Sequence, residues 1–200
     1  AKSYPKKLAV KDWHGKASTY SELESRANRL ANALLKMGLR KGDRVAVMMY
    51  NCIEFIEIYC AFAKIGVVGV PVSWRYIEKE VEYVVNNCDA RAIIVEEDFI
   101  DCINHVRSSF EKIEDKNYLL IGKTAPKGYV NYEKIIANSP DNKPDVKVDG
   151  KDTWLQIYTS GTTGIPKGVV RSHESYIAFY LINAVEFGFS EKDYGMVIMP

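Results

Sequence analysis

Two hundred residues suffice for one sizeable domain, or for one domain and part of another. Apolar residues make up 47% and charged residues 26%, shares ordinary for a globular protein, and 27 basic against 26 acidic side chains leave a net charge of +1. That balance excludes a chain-wide electrostatic case for nucleic acid or an anionic membrane, and no apolar run reaches the roughly 18–20 residues of a transmembrane segment.

The opening stretch AKSYPKKLAVKD has no apolar h-region, so it does not read as a signal peptide. Without an initiator Met it reads as the cut edge of something longer. KLAVKD and ASTY flank a His14-Gly15-Lys16 turn and predict a small hairpin. Ser21, with Glu24 three residues on, predicts a capping box. Leu23, Ala27, Leu30, Leu34 and Met37 then share one helical face. Gly38 suits the left-handed residue after the last turn. RVAVMMY reads as a buried strand. Asn51 is placed to cap the next helix, which runs to about Lys64 and ends at Gly66. VVGVPV (strand), IEKEVEYVVNN (helix), RAIIVEE (strand), DFIDCINHVRSSFEK (helix), NYLLIG (strand) and NYEKIIAN (short helix) follow. This alternation predicts an α/β fold: a mainly parallel, doubly wound sheet with helices on both faces. The continuous apolar strands fit coverage on both sides. Residues 139–152, rich in Pro, Asp and Lys, predict an exposed loop. Strand TWLQIY, a Gly-rich loop and strand GVVRS come next. A helix over 173–187 has Ser172 as N-cap and Gly188 as stop, and GMVIMP begins one more strand.

Cys52, Cys60, Cys88 and Cys102 show no CxxC spacing and no clustering with His. They read as free, mostly buried thiols of a reducing, cytoplasmic compartment rather than as a zinc site.

The informative stretch is the loop over 158–168, YTSGTTGIPKG. Gly161, Gly164 and Gly168 permit positive φ and leave backbone N–H groups uncovered. Successive uncovered N–H groups form an anion-binding nest. Thr159, Ser160, Thr162 and Thr163 add hydroxyls, and Lys167 adds a mobile positive charge. The set suits a polyphosphate. A plain surface loop of small polar residues is the alternative. The Walker pattern is absent, because that motif places Gly directly before Lys and opens a helix there. Here Pro166 precedes Lys167, and Gly168 and strand-like VVRS follow.

The string YTSGTTGIPKGVVRSH closely resembles the phosphate-loop signature of the adenylate-forming (AMP-binding) superfamily. That superfamily includes acyl-CoA synthetases, peptide-synthetase adenylation domains and beetle luciferases. TYSELESRANRLANALLKMGLRKGDRVAV is similar to the first helix and strand of those enzymes. NCIEFIEIYCAFAKIGVVGVPVSWRY and VEYVVNNCDARAIIVEEDF continue the likeness in register. VPVSWR over 70–75 resembles acyl-CoA synthetases (acid–CoA ligases) more than the P-I-D-P turn of peptide synthetases.

The resemblance implies that a carboxylic acid, read as a fatty acid, attacks the α-phosphate of ATP to give acyl-AMP, and that the acyl group then passes to coenzyme A. An anion attacks a polyanion, so catalysis must position and neutralise. By the same resemblance Thr159, Ser160, Gly161, Thr162, Thr163, Gly164 and Lys167 hold the β- and γ-phosphates. Thr159 also matches a position that helps hold Mg2+ in some members. Lys167 is not the family's catalytic lysine, and no catalytic residue is assigned within this sequence. Residues 1–200 correspond to part of the large N-terminal domain. The adenine and ribose contacts, most of the acyl pocket and the C-terminal lid are expected beyond Pro200. The segment alone is therefore expected to be inactive, and a severed sheet edge favours homodimerisation or aggregation. The implied partners are the acid, ATP and CoA, with no nucleic acid and no transmembrane segment. An amino-acid-activating domain of a peptide synthetase and a non-catalytic nucleotide-binding module stay open as alternatives.

Of the remaining residues, His173 is read as making local hydrogen bonds at a helix start rather than lying beside the phosphates. Arg171 is placed either beside the loop or at a surface strand end. Trp154 reads as core, and so do Phe179, Tyr180 and Phe187, rather than as acyl-pocket lining.

Overall fold

An antiparallel pair, β1 (Leu8–Lys11) and β2 (Ala17–Thr19), opens the fold in the computed structural model, which describes residues 1–159 and 165–196. The last hairpin residue doubles as the cap of α1 (Tyr20–Lys36). The Thr19 side chain accepts from Glu22 N, and Glu22 Oε2 accepts from Thr19 N at 2.7 Å. The capping box is real but starts at Thr19, two residues before the expected Ser21. At the other end Gly38 adopts φ +103°, and Leu39 N–H donates to Leu34 C=O while Gly38 N–H donates to Leu35 C=O. This is a Schellman closure.

Then follow β3 (Arg44–Met48), α2 (Ile53–Ile65), β4 (Val68–Pro71), α3 (Glu78–Asn87), β5 (Ala90–Glu96), α4 (Ile100–Val106), β6 (Tyr118–Ile121), β7 (Val130–Asn131) and α5 (Tyr132–Ala137). The chain continues through β8 (Thr153–Thr159), β9 (Lys167–Ser172) and α6 (His173–Glu186). Cys52, not Asn51, occupies the N-cap of α2, and Gly66 ends that helix at φ +67°. The helix expected over 98–112 is shorter, because Glu97–Phe99 and Arg107–Ser109 are 3₁₀ turns on either side of α4. Gly195 and Met196 form no strand, and 197–200 lie outside the described residues.

The main sheet has the order β7-β6-β5-β3-β4-β8-β9. Every pair is parallel except β8 with β9. Alternate residues of one strand serve opposite faces. Val45 and Val47 pack with α1, α2 and α5, while Ala46 and Met48 pack with α3 and α4. The sheet is therefore covered on both sides, as the apolar strands require. From neighbouring β3 and β5 the chain turns opposite ways, through α2 to β4 and through α4 to β6. Such a divergence opens a crevice at the carboxyl ends of the strands, where open α/β sheets bind ligands.

Residues 139–152 hold no regular element but lie strapped across α1. Asn28 and Arg29 donate to the carbonyls of Asp141 and Ser139, and Asn32 donates to those of Pro140 and Asn142. Pro144 is buried and Val146 packs on the core. No helix among the described residues is long and apolar enough to cross a membrane.

Candidate functional site

β8 runs parallel to β4, so its carboxyl end lies at the same sheet edge as the crevice between β3 and β5. The chain leaves β8 at Thr159 and returns on β9 at Lys167. These two residues are Cα partners and both are exposed. A hydroxyl and an ammonium thus stand across from each other at the mouth of the loop. Ser160, Gly161, Thr162, Thr163 and Gly164 lie outside the described residues.

The loop's leading residue is firmly anchored. Tyr158 is buried; its hydroxyl donates to Asn87 Oδ1 at 2.6 Å and accepts from Gln156 Nε2 at 3.1 Å. Burial, then the nearby Cys88 thiol, pushes its phenol up to about 12, so it remains a donor. Gly168 is paired with Tyr158 inside β9 and is not among the positive-φ glycines. Sequence reasoning assigned it conformational freedom; the structure assigns it clearance. A Cβ there would sit 2.5 Å from Gln156 Nε2 and 3.1 Å from the Tyr158 ring.

No helix terminus aims at the loop from β9. At the end of the β8–β9 pair away from the loop, Ser172 is the partner of Thr153, and α6 begins there. His173 is therefore separated from Thr159 by the length of β8, so the register does not bring it to the 158–168 loop. Its N–H donates to Asp152 C=O, the local bond expected of a helix start. Arg171, partner of Leu155, is exposed with its guanidinium 5.3 Å from the Tyr176 ring centre, away from the loop. Trp154 packs against the core, and its indole N–H donates to Tyr59 C=O at 3.1 Å. Phe179, Tyr180 and Phe187 are not core: they are 51%, 56% and 68% exposed. α6 touches the rest at its start, where His173 and Tyr176 pack on Trp154 and Glu174 N–H donates to Gly150 C=O, and none of its residues is buried.

His173 stacks on Trp154 with ring centres 5.7 Å apart, and its Nε2 is buried with no partner among the described residues. Burial holds its pKa below the ordinary value, against the pull of Asp152. The folded state then binds this proton less readily than the unfolded chain, so stability falls as the pH drops below about 6.5. The thermal midpoint is expected to decline between about pH 6.5 and 5 more steeply in the native protein than in His173→Phe, which keeps the stack and does not titrate. Parallel declines would remove His173 as the cause.

The residues present suit phosphate and magnesium in a limited way. Among the described residues no group of three metal-ligating side chains comes together. Mg2+ commonly takes one or two protein oxygens and completes its shell with water and substrate phosphate. Thr159 offers one such hard oxygen at the loop mouth.

At the crevice itself the rings of Tyr50, Trp74 and Phe99 meet, Tyr50 lying 5.4 and 4.8 Å from the other two. Glu96 accepts from Tyr50 N–H at 2.8 Å and is raised by burial. These residues come from the ends of three different strands, and sequence reasoning did not group them.

The AMP-binding enzyme family model matches residues 1–200. The long-chain-fatty-acid–CoA ligase of Thermus thermophilus is 30% identical over 92% of the chain and 33% of its own length. The medium-chain fatty-acid–CoA ligase of Escherichia coli is 32% identical over 100% of the chain and 36% of its own length. Among solved structures, the anthranilate CoA ligase AuaEII in complex with anthranoyl-AMP superimposes with a TM-score of 0.84 at 25% identity, over 93% of this chain and 35% of that one. The chain thus spans about a third of the length of the curated relatives it matches.

Proposed function

The chain belongs to the AMP-binding enzyme family, and we propose that it is the N-terminal portion of an ATP-dependent acid–CoA ligase acting on a fatty acid. The carboxylate attacks the α-phosphate, pyrophosphate leaves, and the acyl group passes from AMP to the CoA thiol. The observation that carries this reading is the Thr159–Lys167 pair at the stem of the TSGTTGIPKG string, on the ligand-binding edge of a doubly wound sheet. Lys167 supplies charge to the β- and γ-phosphates. The hydroxyls and glycines of 159–164 supply donors, and Thr159 shares Mg2+ with the phosphates. The fatty-acid ligases among its relatives support the substrate class, and the acyl-adenylate bound by a structural neighbour supports the intermediate. Residues 1–200 form part of the large N-terminal domain in this reading, with 158–168 as the phosphate loop. The segment alone, at a third of its relatives' length, lacks the activity. Four free cysteines fit a reducing, cytoplasmic compartment.

Pyrophosphate release by the full-length protein, assayed over a panel of carboxylic acids, tests the reading. Release that depends on a fatty acid, with CoA needed for turnover, is the expected result. Release that answers to amino acids and ignores CoA would assign a peptide-synthetase domain. No release from a folded protein would leave a nucleotide-binding module without a reaction.

A further inference from the structure

We propose that Tyr83 is a positioning residue that ties the stem of the 158–168 loop to α3 and so holds Lys167 opposite Thr159 for phosphate binding. The inference rests on the phosphate-loop reading above. The Tyr83 hydroxyl donates to the Pro166 carbonyl at 3.1 Å, across 83 positions of sequence. Pro166 has no N–H to give, so its carbonyl is the backbone handle by which this shoulder of the loop can be hydrogen-bonded. Lys167 is the next residue.

The other shoulder is held by the same helix. Asn87, one turn beyond Tyr83 and on the same face, accepts the hydroxyl hydrogen of Tyr158, the residue before Thr159. The Tyr83 and Tyr158 rings meet edge to face at 6.5 Å. Two contacts a helical turn apart therefore hold both sides of the loop's entrance. The platform is rigid, since Val81, Val84 and Val85 of α3 are buried to within 1%. The need for it follows from topology. Among the described residues β9 pairs on one side, with β8, so that ladder fixes the separation of Thr159 and Lys167 but holds the loop end of the pair by its last rung alone. A bond from a packed helix to the residue before Lys167 restrains that end.

The two tethers differ in what they support. Tyr158 is buried, and its loss would disturb the core. Tyr83 borders an open groove of about 490 Å3, lined also by Lys79, Glu82, Asn86, Asn87 and Glu111. Water reaches the groove, so the hydroxyl can be removed without leaving a cavity. The net worth of such a bond translates to roughly three- to tenfold in binding.

The test compares full-length wild type with Tyr83→Phe, which keeps the ring. Without nucleotide, amide hydrogen exchange in peptides covering 158–172 is expected to quicken while α3 keeps its protection. In acid-dependent pyrophosphate release, KM for ATP is expected to rise roughly three- to tenfold with KM for the acid unchanged and the thermal midpoint lowered by no more than the loss of one hydrogen bond. Unaltered exchange overturns the tether. Faster exchange with an unaltered KM for ATP, or an equal rise in both KM values, overturns the positioning role. Should the wild type release no pyrophosphate with any acid, the enzyme reading fails on its own, and ATP affinity of the two proteins by calorimetry decides this one: equal affinities overturn it.

Discussion

Glu57→Ala is expected to destabilise the fold by about 3–5 kcal/mol, read as a lower urea midpoint at unchanged slope. Glu57 lies in α2 at 1% exposure, the most deeply buried charged side chain among the described residues. Both its oxygens are engaged by Arg26 of α1, Nε to Oε1 at 2.5 Å and Nη2 to Oε2 at 3.0 Å. The buried hydroxyl of Tyr132, in α5, donates to Oε2 at 3.0 Å. Burial, reinforced by Glu57, raises the Tyr132 phenol well above its ordinary value, so it stays a donor. One carboxylate therefore locks three helices onto one face of the sheet. Truncation leaves the Tyr132 hydroxyl without a partner and Arg26 with its exposed contact to Glu133 alone. Glu133→Ala, which removes that exposed partner, is expected to cost under about 1 kcal/mol. A replacement of Arg26, Glu57 and Tyr132 together by apolar residues of like volume should recover most of the loss, because a buried pair offsets little more than its own desolvation. A single-mutant loss below about 1 kcal/mol would show that water reaches the site.

The order of elements was legible because each carries its own period and its own stop signal. Val45, Ala46, Val47 and Met48 are all buried and face two helical layers in alternation. Gly38 and Gly66 end their helices in the left-handed region. The misses share a cause: tertiary context acting on local rules. Capping moved to Thr19 because the hairpin runs directly into α1. The spacing of Phe99, Ile103, Val106 and Phe110 does mark a core face. Its last turn tightens to 3₁₀, where the Ser109 hydroxyl takes the Val106 carbonyl. β7 is two residues long, too short to show a period. Residues 139–152 are the mostly exposed loop their composition suggests, but composition does not reveal what holds them, Asn28, Arg29 and Asn32, which lie more than a hundred positions away. Asn28, at 6% exposure within a helix, was the available sign that α1 receives something polar. In the proposed site, the string itself singles out Lys167 and Thr159, which the structure pairs across β8 and β9. Tyr83, Asn87 and the Tyr50–Trp74–Phe99 group were not, because separate elements bring them together and no local pattern records it.

Lys167→Ala is expected to lower kcat/KM for ATP in acid-dependent pyrophosphate release by roughly 10- to 150-fold, the worth of a hydrogen bond to a charged group. Among the described residues no carboxylate pairs with Lys167, and it is exposed at the start of β9. Its charge is therefore uncommitted among the described residues, and its removal is expected to leave the unfolding midpoint unchanged. That separation makes the substitution informative where a buried residue would not be. Lys167→Arg keeps the charge but changes reach and geometry, so it should recover part of the loss. The division between constants identifies when the contact forms. If the ammonium holds the β- and γ-phosphates equally in ground and transition states, KM for ATP rises and kcat stays. If it meets charge that develops as pyrophosphate departs, kcat falls with kcat/KM. Electrostatic action also predicts that the wild-type advantage shrinks as salt is raised from about 0.05 to 0.5 M. An unchanged kcat/KM at low salt would remove Lys167 from the phosphate site, and with it the assignment of the β8–β9 loop as the place where ATP is held.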